Sequence, residues 1–250
     1  AEDMVSYARR KGADQVQVSI GDGSEFSVDV LKGKIDKLAE AGSKNLALKI
    51  IVDQRVAMAS SSDLSPESLH QLVDNALQRA KLSSPDEFAS LPDDEKVTAD
   101  LESLKIFDPA IVELSAENKI KAAADTEAIC LADSRIRTSF GASFSTAVGV
   151  SYLANSNGFS AAYPRTSCSC GVYLQAGDGE NLFDEGWYDG ARNLQDLLSS
   201  EAIAQKAIHR VTRLIGARKI KTQNVPVVME PPMTAALLRF LYDCVQGRAI

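Results

Sequence analysis

Apolar and polar residues alternate along much of this chain. Val16, Val18 and Ile20 alternate with polar neighbours, Gly21-Asp22-Gly23 interrupts them, and Phe26, Val28 and Val30 resume the period of two. That period buries one face of a strand, so the segment predicts a hairpin turning at the glycines. Two further strands are expected at Leu46, Leu48, Ile50, Val52 and at Val56, Met58, joined by a turn at Asp53-Gln54. Helical periodicity frames this meander. Residues 2–11 read as an opening helix closed by Gly12. Ser65 caps a second helix with Pro66 at its first position and Leu72, Val73, Ala76 and Ala80 on one face.

The second half repeats the ingredients in another order. Ser115 caps a helix, and Ile136-Phe140 and Val148-Ala154 then alternate. Asn157-Gly158 predicts a type I′ hairpin, after which Phe159, Ala161 and Tyr163 and then Cys168, Cys170, Val172 and Leu174 form strands. Gly177-Asp178-Gly179 supplies a turn, Trp187 to Leu198 reads as a loop or short helix, and a helix from Glu201 to Ile215 is capped by Ser200 and ended by Gly216. Val227-Val228-Met229 reads as a buried strand needing further chain to pair with, so the sequence is expected to be a fragment of a longer protein. The pattern predicts an α+β fold of two units, 1–90 and 113–222, each an antiparallel or mixed sheet with covering helices. Between them, 91–112 reads as a surface linker carrying the acidic run Asp93-Asp94-Glu95.

Charge and composition narrow the function. The net charge of −7 comes from 34 acidic and 27 basic residues, and no basic face is evident, which argues against direct nucleic-acid binding. Four unevenly spaced cysteines do not make a disulfide framework and read as reduced thiols. No signal segment is visible and no run approaches the roughly 18 apolar residues that span a bilayer, so a cytoplasmic protein without membrane partners is expected.

The candidate chemistry is sparse. His70 and His209 lie far apart, each without a ligand-type partner one helical turn away, and Cys168 and Cys170 would share a strand face as buried thiols. Neither Gly-x-Gly precedes a helix, and no Gly-x-Ser-x-Gly nucleophile motif occurs. No catalytic or metal-ligating set is assigned. The most unusual stretch is Asp184 to Gly190, where Trp187 and Tyr188 are candidates for a peptide-binding rim.

Several segments in order resemble the TldD/PmbA family, whose members were called modulators of DNA gyrase. They are Tyr7 to Asp14 with the valines that follow, Lys32-Gly33-Lys34-Ile35-Asp36, Ala59 to Ser65, Asn155-Ser156-Asn157-Gly158, Ile215 to Lys219 with Thr222, and Pro226-Val227-Val228. Asn155, Ser156 and Gly158 match a family hairpin of unassigned role. The resemblance implies two N-terminal α+β units leading into a β-rich C-terminal domain, begun here at 223–250 and mostly absent from this chain. It also implies a cytoplasmic zinc metalloprotease complex of two related subunits, acting in peptide maturation and proteolysis.

In the TldD branch a helix soon after the Pro-Val-Val strand carries His-Glu-x-x-x-His, two imidazoles one turn apart for zinc. The matching run here, Met229 to Leu241, holds no histidine and resembles the PmbA (TldE) branch. The resemblance therefore implies a subunit with no cofactor of its own, a TldD-type zinc partner in a heterodimer (or else a homodimer), and a peptide or unfolded-protein substrate. Two alternatives stand beside it: a peptidase acting through residues beyond 250, and a regulatory binding protein for DNA gyrase.

Overall fold

The alternation runs through Gly21-Asp22-Gly23 without a turn. In the computed structural model, which describes residues 1–92, 103–179 and 181–246, β1 is one strand of 17 residues, Gln15–Leu31. It turns at Lys32-Gly33, both with positive φ (52° and 71°), into β2, Lys34–Val52, which turns at Asp53-Gln54 into β3, Arg55–Ser61. The strands expected at 136–140 and 148–154 are likewise one, β4, Ile136–Asn155, and those at 159–163 and 168–174 are β5, Ser160–Asp178. The Trp187 segment, expected as loop or short helix, is strand β6, Asn181–Ala191, followed by a 3-10 turn at Leu194–Asp196. Pairing against β5 from Cys168 to Asp178 satisfies its backbone, which overrides the turn propensity of Gly186 and Gly190.

These strands form a single antiparallel sheet in the order β3-β2-β1-β4-β5-β6. The pairing of β1 with β4 joins the two halves. Each half nevertheless keeps its own helices and its own core, both on the even-numbered face of β1. Helices α1, Glu2–Arg10, and α2, Pro66–Leu82, cover Val16, Val18, Leu48 and Ile50 at one end. At the other end, α3, Pro109–Glu113, α4, Ala116–Leu131, and α5, Ser200–Thr212, cover Val28, Phe144, Cys170 and Leu174. The α5 cap is Ser199, whose hydroxyl accepts from Ala202 N, rather than Ser200. From Lys34 to Asn45, β2 has no strand on its outer side. Lys34, Lys37, Glu40 and Lys44 keep that edge charged, which discourages edge-to-edge association.

Three local devices hold the long ladder. Glu127 of α4 is 1% exposed, and its carboxylate accepts from Lys32 N (3.0 Å) and Gly33 N (2.8 Å), clamping the β1–β2 turn. At the far end, Ser156 N donates to Val16 O (2.8 Å) and Val16 N donates to Ser156 Oγ (3.0 Å), tying the β4–β5 hairpin to the start of β1. That hairpin is a three-residue loop with positive φ at Gly158 alone, not the expected type I′ turn, which needs positive φ at two residues. Asn155 Oδ1 closes it by accepting from Asn157 N and Phe159 N.

The third device is a close backbone approach. Gly23 and Gly149 face each other, and a Cβ on either would stand 2.9 Å from a backbone oxygen across the pair, Val148 O or Asp22 O. The glycine taken for a turn former is thus required by sheet curvature: the strands bend toward the odd-numbered face where no side chain fits.

Residues 216–250 form a separate unit whose one described helix is α6, Pro231–Cys244. The strand expected at Val227-Val228-Met229 is not formed, and Val228 is 98% exposed. Among the described residues of this unit there is no strand for it to pair with. The run Asp93-Asp94-Glu95 lies outside the described residues.

Three substitutions test these devices. Glu127→Ala strips two N–H groups of the β1–β2 turn of a charged acceptor and is expected to cost roughly 1–3 kcal/mol in urea unfolding. Gly149→Val is expected to cost about 1–3 kcal/mol through overpacking, whereas Gly158→Asn, at an open αL position, costs much less.

Candidate functional site

With α1 to α5 on one face, the other face of the sheet carries no described helix of residues 1–215; at the start of β1 the segment at 90–91 meets it, Leu91 N donating to Gln15 Oε1 and Lys49 Nζ to Ser90 O, and the rest of it has a composition unlike the covered face. Its rows of register partners are mostly glycine, serine and alanine: Gly23 with Gly149, Glu25 with Ala147 and Ser167, and Ser27 with Ser145 and Ser169. Curvature makes this face concave. A trough of about 560 Å³ crosses β1, β4, β5 and β6 between the Glu25 and Ser27 rows, and a second of about 270 Å³ adjoins it on the Gly23 side. The trough floor is backbone, because Phe26, Cys168 and Ala191 turn their side chains to the other face.

The walls are polar but uncharged in the middle. Ser145 and Ser169 hydroxyls share a hydrogen bond of 2.9 Å across the β4–β5 pair. Charges stand at the ends: Glu25 on β1, and beyond β6 Arg192, whose Nη1 donates to Thr166 O at 3.4 Å. On the same face, farther along β5 and β6 and outside the trough lining, stands a group of aromatic side chains. Tyr188 is 79% exposed and Tyr173 51%, and Phe140 leans on Tyr173 with ring centroids 5.8 Å apart. Glycines make room for it: a Cβ at Gly171 would lie 2.7 Å from Tyr188 Cβ, and one at Gly186 would lie 2.7 Å from Tyr173 Cδ2.

Trp187 and Tyr188, paired as a rim in the sequence, are not brought together, since neighbours on a strand face opposite ways. Trp187 packs against the covered core under α5, with Lys206 Nζ 4.0 Å from its ring centroid and Arg210, which pairs with Glu185 at 3.6 Å, 5.2 Å from it. Tyr188 stands on the open face with Tyr173 and Phe140, which sequence reasoning missed. The missed signal was the complementary register: Ser169, Gly171 and Tyr173 alternate as regularly as Cys168, Cys170 and Val172. Asn155, Ser156 and Gly158 sit in the hairpin that ties β4 to β1, away from the trough.

Among the described residues, no histidine or cysteine side chain opens onto the trough. His70 stacks on Tyr7 at 4.0 Å between α1 and α2, and His209 is exposed on α5. Cys168 and Cys170 are buried on the covered face, and burial raises both thiols above the ordinary range. Burial, aided by nearby Glu127, pushes Cys130 up to about 12. Among the described residues no three of His, Cys, Asp and Glu come together as a metal site, so the residues present do not fit a metal ion.

The halves of the sheet each match a known domain. Residues 16–80 match the PmbA/TldA metallopeptidase domain 1, and 109–215 the PmbA/TldA metallopeptidase central domain. The chain belongs to the PmbA/TldD family. It is 28% identical to the metalloprotease PmbA of Escherichia coli O157:H7 over 256 residues, covering 100% of this chain and 56% of that protein. The PmbA homolog of Haemophilus influenzae is 26% identical, with 98% and 54% covered. The chain thus spans about half the length of the curated relatives it matches. A crystal structure from Bacteroides thetaiotaomicron, described as a candidate modulator of DNA gyrase, superposes with a TM-score of 0.88 at 26% identity over 100% of this chain and 57% of that one. TldE of Thermococcus kodakarensis shares the fold, with a TM-score of 0.69 at 18% identity over 84% of this chain and 47% of that one.

The thiols give a direct check on which face is which. Since burial keeps Cys130, Cys168 and Cys170 protonated and out of reach, a disulfide-exchange reagent at pH 8 is expected to titrate one thiol per native chain, the exposed Cys244, and all four after denaturation.

Proposed function

We propose that this chain is the N-terminal part of a PmbA/TldE-type subunit that binds peptide for a metalloprotease complex and leaves the metal chemistry to a TldD-type partner. The observation that carries this reading is the helix-free sheet face: a polar trough, flanked along β5 and β6 by exposed tyrosines, onto which no histidine or cysteine side chain of the described residues opens. An extended chain is the ligand such a surface suits, because serine hydroxyls offer donors and acceptors to peptide groups without selecting one side chain. The absence of histidine from 229 to 241, where the resemblance expects a zinc helix in the TldD branch, supports assigning zinc to the partner. Peptide maturation and turnover of unfolded segments in the cytoplasm are the roles that follow, with a heterodimer as the assembly and a homodimer as the alternative.

Zinc content and peptide cleavage, measured on the whole protein with and without a TldD-type partner, test the reading. Substoichiometric zinc and no cleavage alone, with cleavage restored by the partner, are expected. Stoichiometric zinc and cleavage by the isolated protein would overturn it.

A further inference from the structure

The two ends of the trough carry opposite charges. Glu25, Ala147 and Ser167 are register partners across β1, β4 and β5, and Arg192, next after the strand residue Ala191 that pairs with Cys168, continues the row. Three strand spacings separate Glu25 from Arg192, about 14 Å, which is the length of about four extended residues. Glu25 has no ion-pair partner among the described residues, and Arg192 uses one N–H on Thr166 O, leaving the rest of its guanidinium open to the trough. Tyr188 stands on the same strand as the Arg192 end, with Gly190 between them presenting no side chain.

We infer that the trough is a site for the C-terminal end of a short or unfolded peptide, held across the strands. The terminal carboxylate meets Arg192, a large apolar or aromatic last side chain lies over Gly190 toward Tyr188, and the chain runs past Ser145 and Ser169 toward Glu25. Charge complementarity selects this occupant. A guanidinium takes a carboxylate in a paired geometry, a carboxylate at the opposite end favours an ammonium or a basic residue, and the neutral floor between them suits peptide groups. A rigid tyrosine beside a glycine gives apolar contact area at little entropic cost. This assignment rests on the peptide-binding reading above and adds to it the end of the chain that is recognised and the side chain preferred.

Calorimetric titration of the whole protein, without partner or added metal, tests it with three tetrapeptides of serine and alanine. One ends in phenylalanine with a free carboxylate, one is its C-terminal amide, and one ends in glycine. The free acid ending in phenylalanine is expected to bind at least tenfold more tightly than either of the others. Arg192→Gln is expected to erase the difference between acid and amide, and Tyr188→Ser that between phenylalanine and glycine, while Tyr188→Phe keeps it. Equal binding of acid and amide, no binding of any probe, or a Tyr188→Ser variant with a lowered melting temperature but an unchanged preference would each overturn the inference. Because no cleavage is read, these outcomes are independent of whether a partner supplies zinc.

Discussion

The close backbone approach of Gly23 and Gly149 shapes almost everything else in the sheet. Strands of 17 to 20 residues cannot stay flat, and here the bend is directed to one side because only hydrogen atoms stand between the two chains at that point. Bending makes the odd-numbered face concave and the even-numbered face convex. The covered face carries two separate groups of helices and therefore two cores, while the face with the trough is furnished with serine, alanine and glycine. Core and trough are two results of the same curvature.

Much of this was legible in the residues. The helices announced themselves through serine caps and apolar stripes, and the buried positions on β1, and all of those on β5 except Gly171, followed the period of two. What failed was punctuation. Glycine in a strand pattern has two meanings, turn and close approach, and local sequence cannot separate them; Gly21-Asp22-Gly23 was the second, and of Gly177-Asp178-Gly179 only Gly179 lies past the end of β5, Gly177 and Asp178 still pairing with β6. The site was less legible than the fold, because it is assembled from residues on four strands that sequence spacing does not relate. Glu127 is the clearest case: a charged residue on a helix reads as surface, yet it is buried by a turn 94 residues away whose N–H groups it satisfies.

The division of faces also bears on what such a chain contributes to its family. Under the proposed reading, the open face would contribute selection and positioning rather than bond cleavage. The covered face, by contrast, spends its polar residues on construction: Trp187 lies beneath the cations of α5, and Thr166 bridges Asp108 N and Arg192 O. Arg192 belongs to both networks, through its backbone to the framework and through its side chain to the trough. A disturbance of the 3-10 turn that follows it would therefore be felt at the binding end.

The β1–β4 pairing has a further consequence in time. Along most of its length β1 finds its second neighbour only after more than a hundred further residues have been made, with Val16 waiting for Ser156, 140 positions on. At ordinary rates of synthesis that is on the order of ten seconds during which the nascent β1–β2–β3 meander exposes an unpaired strand. Asp22, Glu25 and Asp29 are spaced along that strand, so two nascent chains meeting there would bring like charges together. Glu25, which borders the finished trough, thus also belongs to the set of charges that guards an unfinished edge on the ribosome.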